Sequence, residues 1–159
     1  MIGRSLPAVV EVPHTIAARG GMEVGACLAG IAFLKGLGLV HAISHMVGAE
    51  YDTHHGLTNA VVLPAVLRFN APAIAEKVPA MMRALDQPGT DFDAFYRYVC
   101  GLLDQFQIPR TLSELGVPES AAEALTMKAL KDAAAGTNPR VADADSLMGV
   151  ISEAITVGR

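Results

Sequence analysis

Tryptophan is absent, and aromatic residues make up only 5% of the 159 residues. A core without large rings has to be closed by Ala, Val, Leu, Ile and Met, a composition suited to closely packed helices. Charge is scarce as well: 18% of residues are Asp, Glu, Lys or Arg, the net charge is −4, and no basic run exists. That excludes a phosphate-tracking surface and with it nucleic-acid binding. Cysteine occurs twice, as Cys27 and Cys100, each inside an apolar helical pattern. The pair is read as small buried hydrophobes in a reducing, cytoplasmic compartment rather than as a disulfide. Arg4 is followed by no apolar h-region before Glu11, so no signal peptide is expected. The longest uncharged runs, Val24 to Leu34 and Gly36 to Ala49, are split by Lys35. Neither reaches the ~20 apolar residues that cross a bilayer, and no membrane span is expected. Period-two alternation long enough for a strand is missing. So are a phosphate loop and a glycine-rich dinucleotide turn. Gly36-x-Gly38 follows no strand and has His41 at the third glycine position.

What is present is apolar: 52% of residues are hydrophobic. The excess fits a large Ala-rich core or a surface that meets a partner, and composition does not choose between them. Read in order, Ser5 to Val10 is apolar almost from the start, like the inside of a domain. Thr15 is a possible N-cap for a helix over 16–37, whose small residues (Gly20, Gly21, Gly25, Ala26, Ala29, Gly30) predict close neighbours on its faces. A buried helix follows over 39–51. A third covers 57–70, with Pro64 kinking or dividing it. Pro72 reads as a helix start, and Pro79 interrupts the stretch ending near Leu85. Asp91 caps an amphipathic helix over 92–106. A short turn at 112–115 stops at Gly116, a helix runs over 118–135, and Asp143 or Asp145 caps a last one to Thr156. The fold class is therefore all-α, a bundle of about seven to eight helices in one domain over 1–159.

Four of the five histidines fall between His41 and His55. His41 and His45 are one helical turn apart on one face, the spacing of paired-histidine metal sites. His55 lies fourteen residues beyond His41, which on one unbroken helix would separate them by roughly 21 Å. Sharing an ion about 2.1 Å from each nitrogen requires the chain to fold back between them. Gly48, Asp52-Thr53 and Gly56 allow the break. The bland alternative is a set of core histidines with ordinary partners. Burying an unpartnered imidazole costs roughly 1–3 kcal/mol, so three in a cluster favour a shared explanation, a divalent ion.

The stretches Gly38-Leu39-Val40-His41-Ala42-Ile43-Ser44-His45 and His55-Gly56-Leu57-Thr58-Asn59-Ala60-Val61-Val62-Leu63-Pro64, continuing to Phe69-Asn70, resemble the signature of iron-containing (group III) alcohol dehydrogenases. Ala26 to Phe33 upstream and Asn138-Pro139-Arg140 downstream resemble that family in the same order. The resemblance covers nearly the whole chain but only the back of the family's helical C-terminal domain.

It implies that His41 and His55 are metal ligands for Fe2+ or Zn2+. His45 is then a site histidine near metal and substrate, the candidate catalytic or proton-relay group. It implies a small alcohol or aldehyde as substrate and NAD(P) as hydride carrier, the metal lowering the pKa of the alcohol. His54 stands where family members commonly have proline; it faces solvent or adds a fourth nitrogen. Asn59 has a hydrogen-bonding role near the site or a role at a helix start. Asn138-Pro139-Arg140 is expected to be a structural loop fixing the last helix.

The family site also uses an Asp and a His one turn apart on an earlier helix, and no Asp-x-x-x-His precedes Ala18. The NAD(P)-binding domain is missing too. The chain is thus expected to be the C-terminal part of such an enzyme, inactive alone, with the metal weakly held or absent and its open face closed by the missing N-terminal half or by a second copy. The alternatives are a non-catalytic helical module that self-associates or binds a partner, and a small metal-binding protein using His41, His45, His54 and His55.

Overall fold

The computed structural model describes residues 1–159, all-helical with no strand. Eight helices follow in order: α1 (Ile2–Glu11), α2 (Ile16–Ala32), α3 (Leu39–Tyr51), α4 (His55–Ile74), α5 (Val78–Leu85), α6 (Phe92–Gln105), α7 (Ala122–Ala129) and α8 (Ala144–Thr156). The main core lies between α3, α4, α7 and α8. Leu39, Ile43 and Val47 of α3 meet Val61, Val62 and Val66 of α4, Leu125 of α7, and Leu147, Ile151 and Ile155 of α8. Each such side chain contributes roughly 1.5–3 kcal/mol by leaving water. A smaller cluster of Ile74, Val78 and Met82, with Phe92 and Phe95 against it, joins α5 and α6 to the end of α4.

α4 is the longest helix and crosses the bundle. Two prolines lie inside it, yet Pro64 does not divide it and Pro72 does not start a new one. An interior proline costs about 3 kcal/mol. Here the burial of Val61, Val62, Pro64, Ala65, Val66, Phe69 and Asn70 outweighs that local preference. Pro79 behaves as a helix opener, in the first turn of α5. Arg68 on α4 binds Glu153 of α8, the Tyr96 hydroxyl of α6 and the Gly158 carbonyl, so one guanidinium ties three segments.

Three sequence expectations need correction. α2 is not surrounded. Only Ala18 and Gly25 are buried, while Val24, Leu28, Ile31 and Leu34 are exposed. Its glycines do serve close approach on one side, because a Cβ on Gly25 would stand 3.2 Å from the Ile2 backbone nitrogen of α1. Cys27 is therefore exposed and Cys100 half-buried; both are free thiols, not buried hydrophobes. The helix expected over 118–135 ends at Ala129, because the Asp132 carboxylate accepts the Ala134 N–H (2.8 Å) and turns the chain.

By length and composition, two helical stretches reach membrane-span dimensions: Ile16–Lys35, and His55–Leu85, which includes α4 and α5. The most apolar 18 residues of the second are 44% buried inside the bundle, and the stretch carries Arg68, paired with Glu153.

α8 opens with a reciprocal cap. Asp143 Oδ1 accepts the Ser146 N–H (2.9 Å), and Ser146 Oγ accepts the Asp143 N–H (3.0 Å). These Ser146 hydrogen bonds hold the Asp143 carboxyl below its ordinary value of 3.8. A carboxyl lowered in the folded state stabilises above its unfolded value, and the effect disappears as pH falls through the folded one. Asp143→Asn keeps a cap but loses the charge. Its melting temperature is expected to sit below wild type by a constant margin above about pH 5, shrinking toward zero below about pH 3. Thermal melts across that range check this.

Candidate metal centre

The histidine helix α3 starts with no cap of its own. Its N-cap is Gly38, at φ +76, and Gly36 before it is at φ +102. Both angles favour glycine. The cap arrives from a hundred residues away. Thr137 Oγ1 accepts the N–H of Leu37 (3.1 Å) and of Gly38 (3.3 Å), and Asn138 Oδ1 accepts the N–H of Leu39 (3.2 Å). Asn138 also exchanges two hydrogen bonds with the buried amide of Asn70 on α4, at 3.0 and 2.7 Å. Arg140 donates to the Phe69 carbonyl (2.9 Å) and lies over the Phe69 ring. The Asn138-Pro139-Arg140 loop is structural, as expected, but it fixes α3 and α4 rather than the last helix.

α3 ends at Asp52, whose left-handed φ of +52 turns the chain, and α4 begins at His55. This is the reversal that the histidine spacing requires. It brings the rings of His41, His45 and His55 together. Their centroids are 5.8 Å apart for His41 and His45, 5.3 Å for His41 and His55, and 5.4 Å for His45 and His55. Phe33 stands edge-on to His41 at 5.6 Å.

Each ring has a different environment. His41 Nδ1 is buried without a hydrogen-bond partner. Burial, then the neighbouring His55 and His45 charges, push the His41 pKa below 6.5; the Leu37 carbonyl opposes this without reaching hydrogen-bond geometry. His41 is thus held neutral, the form a metal ligand needs. His55 sits in a closed ring of bonds: Asn59 Nδ2 donates to its Nε2 (3.0 Å), Ser44 Oγ stands 3.5 Å from its Nδ1, and the Ser44 hydroxyl donates to Asn59 Oδ1 (2.5 Å). His45 Nδ1 faces Asp132 Oδ2 at 3.0 Å. Burial raises the Asp132 pKa, but the Ala134 N–H and the His45 hydrogen bond and charge outweigh it and hold it below 3.8.

His54 does not join the cluster. Exposed, it caps α4 through Nδ1, which accepts the Leu57 N–H (3.3 Å). Asn59 does join, through His55 and Ser44. Sequence reasoning missed Ser44 and Asp132. Ser44 was hidden by its ordinary spacing. Asp132 lies 87 residues from His45, and no local periodicity announces such a pairing. A cleft of about 390 Å³ opens beside His45 and Asp132, walled also by Gly36, Leu37, Ala134 and Thr137.

No three metal-ligating side chains converge here as a ready-made site. What is present is a partial donor set: clustered imidazoles, of which His41 has an orphaned nitrogen. These residues fit a metal as part of a larger ligand set.

Comparison with known proteins is decisive on ancestry. The family model described as Fe-containing alcohol dehydrogenase family, C-terminal, matches residues 1–155. The chain belongs to the iron-containing alcohol dehydrogenase family. It is 36% identical to the probable alcohol dehydrogenase EutG of Escherichia coli (strain K12), over 97% of this chain but 39% of that protein. It is 33% identical to the 1,3-propanediol dehydrogenase of Klebsiella pneumoniae, over 97% of this chain and 42% of the relative. A crystal structure of 1,3-propanediol oxidoreductase superposes with a TM-score of 0.91 at 32% identity, over 97% of this chain and 42% of the other. The chain thus spans about two-fifths of the length of these relatives and corresponds to their C-terminal part. The family is iron-dependent and NAD(P)-linked. Both span-length helical stretches lie within the region that matches these enzyme folds.

The cap on α3 makes a stability prediction. Asn138→Ala leaves the buried Asn70 amide and the Leu39 N–H without partners. The expected loss is about 1–3 kcal/mol, read as a lowered urea midpoint with an unchanged slope.

Proposed function

We propose that this chain is the helical, metal-ligating portion of a metal-dependent, NAD(P)-linked alcohol dehydrogenase, and that it does not turn over alone. The observation that carries the reading is the 5.3 Å approach of the His41 and His55 rings across the α3–α4 reversal, in a chain that matches the family from residue 1 to residue 155. His41 and His55 would hold Fe2+ or Zn2+. When bound, the metal supplies Lewis-acid polarisation of an alcohol or carbonyl oxygen.

The chain's own residues do the rest. Burial keeps His41 neutral and ready to ligate. Ser44 and Asn59 set the orientation of the His55 ring. His45, beside the cleft, is placed to accept or return a proton. Leu37 and Ala134 narrow that cleft, which suits a small alcohol or aldehyde. Relatives described as NAD-dependent methanol dehydrogenase, 1,3-propanediol dehydrogenase and lactaldehyde reductase support that substrate class.

Two imidazoles hold a transition-type ion less tightly than four protein ligands, and no dinucleotide turn is present. The helical domain therefore works with a separate nucleotide-binding portion that brings the remaining ligands. A second reading has the exposed Val24, Leu28, Ile31 and Leu34 of α2 closing against another copy as a non-catalytic dimer. A monomer by sedimentation at about 100 µM removes that reading.

Two measurements test the primary reading. Assays of the pure chain with ethanol, propanediol or lactaldehyde, NAD(H) or NADP(H), and added iron or zinc are expected to give no turnover above His55→Ala. Joined to the upstream portion of 1,3-propanediol dehydrogenase, the chain is expected to gain activity that His41→Ala and His55→Ala each lower by about 100-fold or more, as lost ligands do. A chimera that folds, binds NAD(H) and shows no dependence on either histidine overturns the assignment.

In the isolated chain, cobalt or zinc titration is expected to show weak binding. His41→Ala lowers the affinity by roughly tenfold or more, whereas His54→Ala leaves it unchanged.

A further inference from the structure

Asp132 lies outside both signature stretches, on the turn that follows α7, and reaches α3 across 87 residues of sequence. Its two carboxylate oxygens have separate tasks. Oδ1 accepts the backbone N–H of Ala134 at 2.8 Å, and Oδ2 stands 3.0 Å from His45 Nδ1. The first bond anchors the carboxylate to its own turn and so aims the second oxygen at the imidazole. The carboxylate side chain is only 16% exposed, so water does little to compete for it. His45 Nε2 takes no hydrogen bond within the chain and is not sealed off in the core.

We propose that Asp132 is a positioning residue for His45: it accepts the Nδ1–H, fixes the Nδ1-protonated tautomer, and leaves the Nε2 lone pair facing outward as the reactive nitrogen. A neutral imidazole carries one N–H, and the partner of one nitrogen decides which tautomer is present. An ionised carboxylate can only accept, so Nδ1 must donate. The resulting carboxylate–imidazole pair fixes the orientation of the ring, as carboxylates behind working histidines do. The catalytic meaning of the pair rests on the dehydrogenase reading above; the tautomer itself does not.

The turn makes the carboxylate hard to replace. In Asp132→Asn, the Ala134 N–H still needs an acceptor, so the Asn oxygen turns to Ala134 and the NH₂ group faces His45. An NH₂ group donates, which forces Nδ1 to accept and moves the proton to Nε2. A residue that merely braced the turn would not reverse a tautomer on another helix.

The test uses the metal-free full chain labelled with 15N-histidine, with long-range 1H–15N correlations recorded at about pH 9, where unperturbed imidazoles are neutral. The His45 signals are assigned by their loss in His45→Gln. Wild type is expected to show Nδ1 protonated and Nε2 bare, in roughly tenfold excess over the other tautomer. Asp132→Asn is expected to show the reverse pattern, and Asp132→Ala averaged signals. A wild-type His45 protonated at Nε2 overturns the proposal, and so does an Nδ1-protonated form unchanged in both variants. If either variant fails to fold, the wild-type spectrum decides alone. Because no metal or substrate is present, the outcome is independent of the metal titration and the chimera assay, and either reading can fail while the other stands.

Discussion

The candidate site depends on a helix start that is capped from outside. α3 carries His41 and His45, yet glycines precede it and it has no side chain of its own to satisfy its first N–H groups. Thr137 and Asn138 supply the acceptors, and Asn138 grips Asn70 on α4 with the same amide. One loop thereby sets the position of α3 along its axis and the relation of α3 to α4. The three rings meet because that relation is fixed. An unsatisfied helix terminus and an unpaired buried amide are both costly, so the arrangement resists small slips.

The rest of the bundle supports this joint. α4 stays continuous through two prolines because both its flanks are packed, and Arg68 holds it to α6 and α8. The turn after α7 is short and sharp because Asp132 accepts its own Ala134 N–H. The same bend brings the carboxylate to His45. Fold and site are built here from the same hydrogen bonds. Polar residues in an apolar bundle are few, and most of those near the histidines serve both ends. The α1–α2 pair is different, since it packs on itself through small residues and presents an apolar outer face.

Much of the architecture was legible in the residues alone. The limits of α3 and the reversal before His55 follow from glycine positions and from the distance argument between His41 and His55. α6 and the start of α8 follow from Asp91 and Asp143, short polar side chains that cap what comes after them. Legibility failed where tertiary packing overrides local preference. Pro72 is a poor helix-interior residue, but α4 passes through it. Cys27 lies in an apolar pattern, but no part of this chain covers it. It failed as well where a contact spans the chain: the role of Asn138 was assigned to the wrong helix, and Asp132 was not seen. Local periodicity carries no record of which loop returns to which helix.

The distance along the chain between cap and capped has a consequence for synthesis. Leu39 is 99 residues ahead of the Asn138 oxygen that receives its N–H. A ribosome adding roughly 5–20 residues per second needs about 5–20 seconds to make that stretch. During that interval α3 leaves the exit tunnel without its acceptors, and its apolar faces wait for α7 and α8. The nascent chain passes through a stage in which the helix that carries His41 and His45 stands uncapped and uncovered, a natural point for chaperone engagement.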